Sequence, residues 1–177
     1  MKKICSFILV LFLTQLLLGC SSNNISDDEK KAPSGEAGII GYVMQKDNER
    51  ILVISQAAQD FSSTGGVKEY YDAIWFSNAP KDVEVGDKVK VWYDIVAESY
   101  PGQSEAKHIE VISSQKPNGA NLTESEALNK ALESEEIKAN DLTVLKSIVY
   151  NKQTDRWNVE LKEIWSEKTY NVQVTDK

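Results

Sequence analysis

Lys88-Val89-Lys90-Val91-Trp92-Tyr93 is the stretch from which the fold is read. Val89 and Val91 alternate with lysines, the period-2 pattern of a strand with one face in a core and one in water. Val83-Glu84-Val85-Gly86-Asp87 leads into it. Upstream, Gly38 to Met44 (GIIGYVM) and Ile51 to Ser55 (ILVIS) are further strand candidates, dense in β-branched residues. Asp47-Asn48 between them tolerates the left-handed backbone of a tight turn, so the spacing predicts a hairpin. Ala57 to Val67 encloses Ser62-Ser63-Thr64-Gly65-Gly66 and reads as a loop. Tyr71 to Ser77 (YDAIWFS) reads as a third strand, and Asn78 to Asp82 turns the chain. Downstream, a loop around Tyr100-Pro101-Gly102 precedes a fifth strand, Ala106 to Ser113. Ile109 and Val111 fall on one of its faces, His108 and Glu110 on the other. Five short strands in about 80 residues predict a closed or nearly closed small β-barrel over 37–114, because closure removes exposed edges.

The rest of the chain has a different rhythm. Ser114 to Gly119 (SQKPNG) is a linker. Leu122-Thr123-Glu124-Ser125-Glu126 then offers a helix start in which Thr123 caps the free backbone donors and Glu126 reaches back. Leu128, Ala131 and Leu132 share a helical face, and the helix is expected to end near Ser134. Asn140-Asp141 marks a turn. Three strands follow: Thr143 to Tyr150, Trp157 to Leu161 continuing towards Trp165, and Thr169 to Thr175. In the last, Tyr170, Val172 and Val174 alternate with Asn171, Gln173 and Thr175. Asn151 to Asp155 and Ser166-Glu167-Lys168 supply the turns. The expectation for 120–177 is an α-β-β-β module, a helix on a three-stranded antiparallel meander, and for the whole chain an α+β fold. So small a module is marginal alone and is expected to pack against the barrel.

Four stretches of the barrel half resemble a known family. They are Gly41-Tyr42-Val43, Tyr71-Asp72-Ala73-Ile74-Trp75, Val85-Gly86-Asp87-Lys88-Val89-Lys90-Val91, and Ser99-Tyr100-Pro101-Gly102-Gln103 with Ala106. Together they resemble the YobA-like secreted domains of Gram-positive bacilli, a family of unknown function, over roughly Gly38 to Ser113. The resemblance implies a small five-stranded barrel of oligonucleotide/oligosaccharide-binding (OB) type and implies no reaction. The helix-and-meander half is similar in arrangement to the PepSY type of module, found on bacterial surface proteins and in peptidase propeptides.

The N-terminus carries an address. Met1-Lys2-Lys3 and a mostly apolar run from Ile4 to Leu18 have the layout of a secretory signal peptide, 1–19. The run is short for a membrane span, which needs about 20 apolar residues. It ends in Leu17-Leu18-Gly19-Cys20, which looks like a bacterial lipobox. The Cys20 thiol is the nucleophile expected to take a diacylglyceryl group, with small Gly19 giving the signal peptidase access to the bond before it. Two or more acyl chains anchor stably where one is marginal. Residues 20–36 (CSSNNISDDEKKAPSGE) are polar and turn-rich and read as a flexible lipidated tether. The expected location is the extracytoplasmic face of the cell membrane. The other cysteine, Cys5, leaves with the leader, so no disulfide is expected.

Charge and side-chain chemistry narrow the function. The formal net charge is −7, with Lys+Arg 20 against Asp+Glu 27, and cleavage would also remove Lys2 and Lys3. That balance argues against nucleic acid, which calls for a basic stripe. It also leaves attachment to acyl chains rather than to anionic headgroups. His108 is the only histidine. On its strand it lies opposite the apolar face, so a solvated imidazole is expected rather than a catalytic one. One histidine and no free cysteine do not make a zinc site. Glu124, Glu126, Glu133, Glu135 and Glu136 read as a solvated acidic face. Gly65-Gly66 lacks the lysine and hydroxyl of a phosphate loop. No catalytic set, metal or cofactor is expected.

Aromatics are the remaining signal. Tyr70, Tyr71, Trp75, Phe76, Trp92, Tyr93 and Tyr100 all lie in the barrel half. Neighbours on a strand point to opposite faces, so one of Trp75-Phe76 and one of Trp92-Tyr93 must face outward or line a seam. Tyr71, Trp75, Trp92 and Tyr100 are the candidate ligand-binding residues, for sugar rings or a partner peptide. A structural role at the seam is the competing expectation. The expected function is a non-enzymatic binding module at the envelope, acting on an envelope protein or glycan. The alternatives are a regulator or inhibitor of an extracellular peptidase, and a carboxylate-dependent hydrolase.

Overall fold

In the computed structural model, which describes residues 32–138 and 140–177, the elements run β1 (Ile39–Asp47), β2 (Arg50–Gln59), β3 (Tyr70–Ser77), β4 (Lys88–Trp92), β5 (Gly102–Glu105), β6 (His108–Ile112), α1 (Glu124–Leu132), β7 (Thr143–Asn151), β8 (Arg156–Glu163) and β9 (Thr169–Thr175). The leader, Cys20 and the first part of the tether lie outside the described residues. Residues 32–177 form one compact unit.

Ile51, Leu52, Val53 and Ile54 explain the layering. All four are buried, although they alternate between the two faces of β2, so β2 is covered on both sides. Ile51 and Val53 join Val43, Ile74, Phe76, Val89 and Val91 in one core. Leu52 and Ile54 join Tyr42, Met44, Tyr71 and Ala73 in a second core. That second core is completed by Leu128 and Ala131 of α1 and by Leu145, Trp157, Leu161 and Val172 of the meander. Each such aliphatic contributes about 1.5–3 kcal/mol on full burial. The module at 120–177 therefore buries its apolar face against the outer side of β1–β3.

The first sheet has six strands in the order β5-β3-β2-β1-β4-β6, one more than the expected five. Its hydrogen-bonded order is open, with β5 and β6 as its two ends. The added strand is β5, which sequence reading places in a loop. Gly102-Gln103-Ser104-Glu105 shows no apolar alternation. It is held by parallel backbone pairing with β3, from Ile74↔Gly102 to Ser77↔Glu105. β2 also runs past Ser55 to Gln59, through a bulge between Ile54 and Ala58. The hairpin forms where expected: Asn48, at φ 54°, and Glu49 link the pair Asp47↔Arg50.

The second sheet is antiparallel, in the order β7-β8-β9. Helix α1 opens with the expected capping box. The Thr123 hydroxyl accepts from the Glu126 N–H while the Glu126 carboxylate accepts from the Thr123 N–H. It ends at Leu132, short of Ser134. The helix is fastened to the turn before β4. Ser125 Oγ donates to Asp87 at 2.7 Å, and Asn129 Nδ2 donates to the Val85 carbonyl at 2.9 Å. Gly86 sits in that turn at φ +94°, and a Cβ there would lie 2.3 Å from the Ser125 carbonyl oxygen. Only glycine meets both demands.

Candidate functional site

A cleft of about 890 Å³ opens where the approach to β3, the β4–β5 loop and the β8–β9 turn converge. Its size suits a small-molecule or oligomer-end ligand. Val67, Lys68, Glu69, Tyr70 and Tyr71 line it from the start of β3, and Tyr100 from the loop before β5. Lys146, Lys162, Ile164, Trp165, Ser166 and Glu167 line it from the meander.

The rings form a continuous ladder. Phe61 packs edge-on to Tyr70 at a centroid distance of 5.5 Å, Tyr70 leans on Tyr100 at 5.6 Å, and Tyr100 meets Trp165 at 4.8 Å and 74°. Trp165 is 67% exposed, so most of its indole faces solvent. Tyr100 is fixed by donating to the Tyr71 carbonyl at 2.8 Å. Burial, and then the neighbouring Tyr70 and Asp72, push its phenol up to about 12. It therefore presents a neutral ring across physiological pH.

Beside the ladder lies a charge-balanced polar group. Lys146 donates to Tyr71 Oη at 2.7 Å and pairs with Glu69 at 3.4 Å. Lys162 pairs with Glu69 and, at 3.1 Å, with Glu167. The bond from Lys162 holds Glu69 below the ordinary carboxylate range, against its desolvation. The bond to Tyr71 raises Lys146, and the bond to Glu69 raises Lys162. Both lysines are held in the charged form, as is Glu69, and the cations lie against carboxylates. The floor of the cleft can hydrogen-bond a polar ligand without a strong preference for either sign.

The four candidate aromatics are not brought together. Tyr71 and Tyr100 line the cleft. Trp75 lies outside it, partly buried against the second core with the Arg50 guanidinium 5.2 Å from its ring. Trp92 faces outward, stacks edge-on to His108 at 5.2 Å, and donates to the Gly35 carbonyl at 3.1 Å. Their neighbours Phe76 and Tyr93 turn inward and pack on each other at 5.1 Å. Trp165, Lys146 and Lys162 were missed. The exposed aromatic next to the Ser166-Glu167-Lys168 turn was the available signal for Trp165. Among the described residues no group of His, Cys, Asp and Glu is arranged to hold a metal ion, and no helix is long and apolar enough to cross a membrane.

Residues 40–113 match the family model described as "Protein of unknown function (DUF3221)". This segment is a DUF3221 domain. The chain is 29% identical over 118 residues to "Uncharacterized protein YobA" of Bacillus subtilis, covering 60% of this chain and 95% of that one. A crystal structure of a yobA protein from Bacillus subtilis matches at 21% identity, over 46% of this chain and 99% of that chain, with a TM-score of 0.33. The DUF3221 segment supplies the Tyr70–Tyr100 part of the ladder. Trp165 and both lysines lie outside it, so the cleft needs both parts of the fold.

Proposed function

We propose that this protein is a lipid-anchored, non-enzymatic binding module of the cell envelope whose cleft takes a glycan. The observation that carries this reading is the Tyr70–Tyr100–Trp165 ladder along an open, charge-balanced cleft. The apolar C–H face of a pyranose packs on an exposed ring, and its hydroxyls find lysine, carboxylate and Ser166 partners at the rim. A cleft whose lysines are already paired with Glu69 and Glu167 fits a ligand of low net charge better than a polyanion.

The non-enzymatic part rests on the Glu69 carboxylate of the cleft. Within the cleft, Glu69 is paired with Lys146 and Lys162 and is shifted down by the bond from Lys162. A glycoside hydrolase calls for a carboxyl shifted up, to donate a proton at neutral pH. The six-stranded sheet supports the reading of an OB-like barrel in which the chain itself links the two end strands. β5 and β6 are separated only by Ala106 and Lys107. The Ala106 N–H donates to Ser77 at the end of β3, and the Lys107 N–H to Trp92 at the end of β4. The address rests on the leader and Cys20.

The test is retention on immobilised cell-wall glycan compared between the wild type and Trp165→Ala, with detergent-phase partitioning compared between the wild type and Cys20→Ser. We expect Trp165→Ala to lose retention and Cys20→Ser to leave the detergent phase. Wild-type protein that passes through the glycan unretarded removes the binding assignment. Partitioning unchanged in Cys20→Ser removes the anchor.

A further inference from the structure

An edge strand offers its unpaired N–H and C=O groups to any strand that fits, and proteins ordinarily blunt such edges with charge, proline, bulges or shortness. Three of the edges here are blunted. β5 has only 4 residues, β6 carries His108 and Glu110, and β7 carries Lys146 beside a bulge between Leu145 and Ser147. β9 (Thr169-Tyr170-Asn171-Val172-Gln173-Val174-Thr175) has none of these devices. It carries no charge and no proline, and its ladder with β8 is continuous from Arg156↔Thr175 to Lys162↔Thr169.

The backbone direction of β9 follows from the bonds flanking that ladder. The Glu163 N–H donates to the Lys168 carbonyl at 2.9 Å, and the Asp176 N–H to the Asp155 carbonyl at 3.2 Å. Hydrogen-bonded pairs alternate in an antiparallel ladder. The groups of Tyr170, Val172 and Val174 therefore point to β8, and those of Thr169, Asn171, Gln173 and Thr175 point away from the sheet.

We propose that β9 is a self-association edge, pairing antiparallel with β9 of a second copy about a two-fold axis through Val172. In that register Asn171 of one copy faces Gln173 of the other, and Thr169 faces Thr175. These are the residues whose backbone groups point outward, so each Asn171–Gln173 pair exchanges both of its N–H···O bonds, while the Thr175 carbonyl already accepts the Lys177 N–H at 3.0 Å and leaves the Thr169–Thr175 pair one free bond. Polar side chains meet polar ones on the exposed face, the amides of Asn171 and Gln173 within mutual reach. Tyr170 meets Val174 on the buried face. No like charges are brought together within the strand, although each copy is acidic overall. Continuing that register places Glu167 of one copy opposite Lys177 of the other at both ends of the paired strands, a charge match that favours a second copy over an unrelated peptide. The inference is independent of the glycan reading.

The test is sedimentation equilibrium of the full chain in density-matched detergent. The wild type is expected to show a monomer–dimer equilibrium. Asn171→Pro is expected to weaken it at least tenfold with an unchanged melting midpoint, because the N–H it removes serves only the outer edge and proline is tolerated there. A second variant, Asn171→Lys with Gln173→Lys, sets like charges across the axis and should weaken association similarly. Amide exchange at Thr169, Asn171, Gln173 and Thr175 should slow as concentration rises. A wild type that stays monomeric throughout, or a dimer that survives both variants, overturns the proposal.

Discussion

Asp176, the residue before the last, accepts the indole N–H of Trp157 at 2.9 Å inside the second core. The same carboxylate also accepts the backbone N–H groups of Asn121 and Leu122, and its residue is 0% exposed. The end of the chain is thus latched to the residues just before α1. Burial pushes the carboxyl up, but the Asn121, Leu122 and Trp157 bonds together hold it below its ordinary 3.8. A carboxylate depressed on folding stabilises above its unfolded pKa, and that contribution is lost as pH falls through the folded value. Asp176→Asn should therefore unfold several degrees below the wild type at pH 7. The gap should narrow as pH drops below about 4, read by thermal melts across a pH series.

Leu161→Ala is expected to cost about 2–5 kcal/mol, because Leu161 is fully buried in the second core. The loss should appear as one shifted transition in urea, reported equally by amides in β2 and in β8. β2 forms one wall of that core, so a separate early transition of β7–β9 would contradict the shared-wall packing.

Thr123→Ala removes one half of the capping box and should cost about 1 kcal/mol. Glu126 is held below its ordinary value first by the Thr123 N–H and then by the Thr123 hydroxyl; the substitution removes only the second, so the Glu126 pKa should rise part of the way by NMR titration. A fully formed box predicts both effects together.

Trp165→Ala should leave the urea midpoint within about 0.5 kcal/mol of the wild type, as surface substitutions do, while reducing glycan retention. Tyr100→Phe keeps the ring but drops the bond to the Tyr71 carbonyl. It should cost about 1 kcal/mol and retain binding. Loss of retention in Tyr100→Phe with Trp165→Ala unaffected would reverse the assigned roles.

Gly86→Ala should destabilise more than any of the surface changes, since it combines positive φ with a 2.3 Å approach to the Ser125 carbonyl. Differential scanning calorimetry reads it directly.

Elements with a strong local signature were legible beforehand. The Lys88–Tyr93 alternation, the Asp47-Asn48 turn, the capping box and the Thr169–Thr175 alternation each specify their structure within a few residues. β5 was not legible, because its side chains carry no pattern and a long-range parallel partner holds it. The cleft was half legible. Tyr71 and Tyr100 stood out as aromatics, whereas Lys146 and Lys162 gain their place only when β7 and β8 are laid beside the start of β3. Trp75 and Trp92 looked equally suitable, and only packing separates them from the cleft.

Because Ile51 to Ile54 send apolar groups both ways, the two halves of this protein share a partition, and removing either one uncovers a face of it. A fragment holding residues 37–114 alone would turn Leu52, Ile54 and Tyr71 to water, a sticky surface prone to self-association.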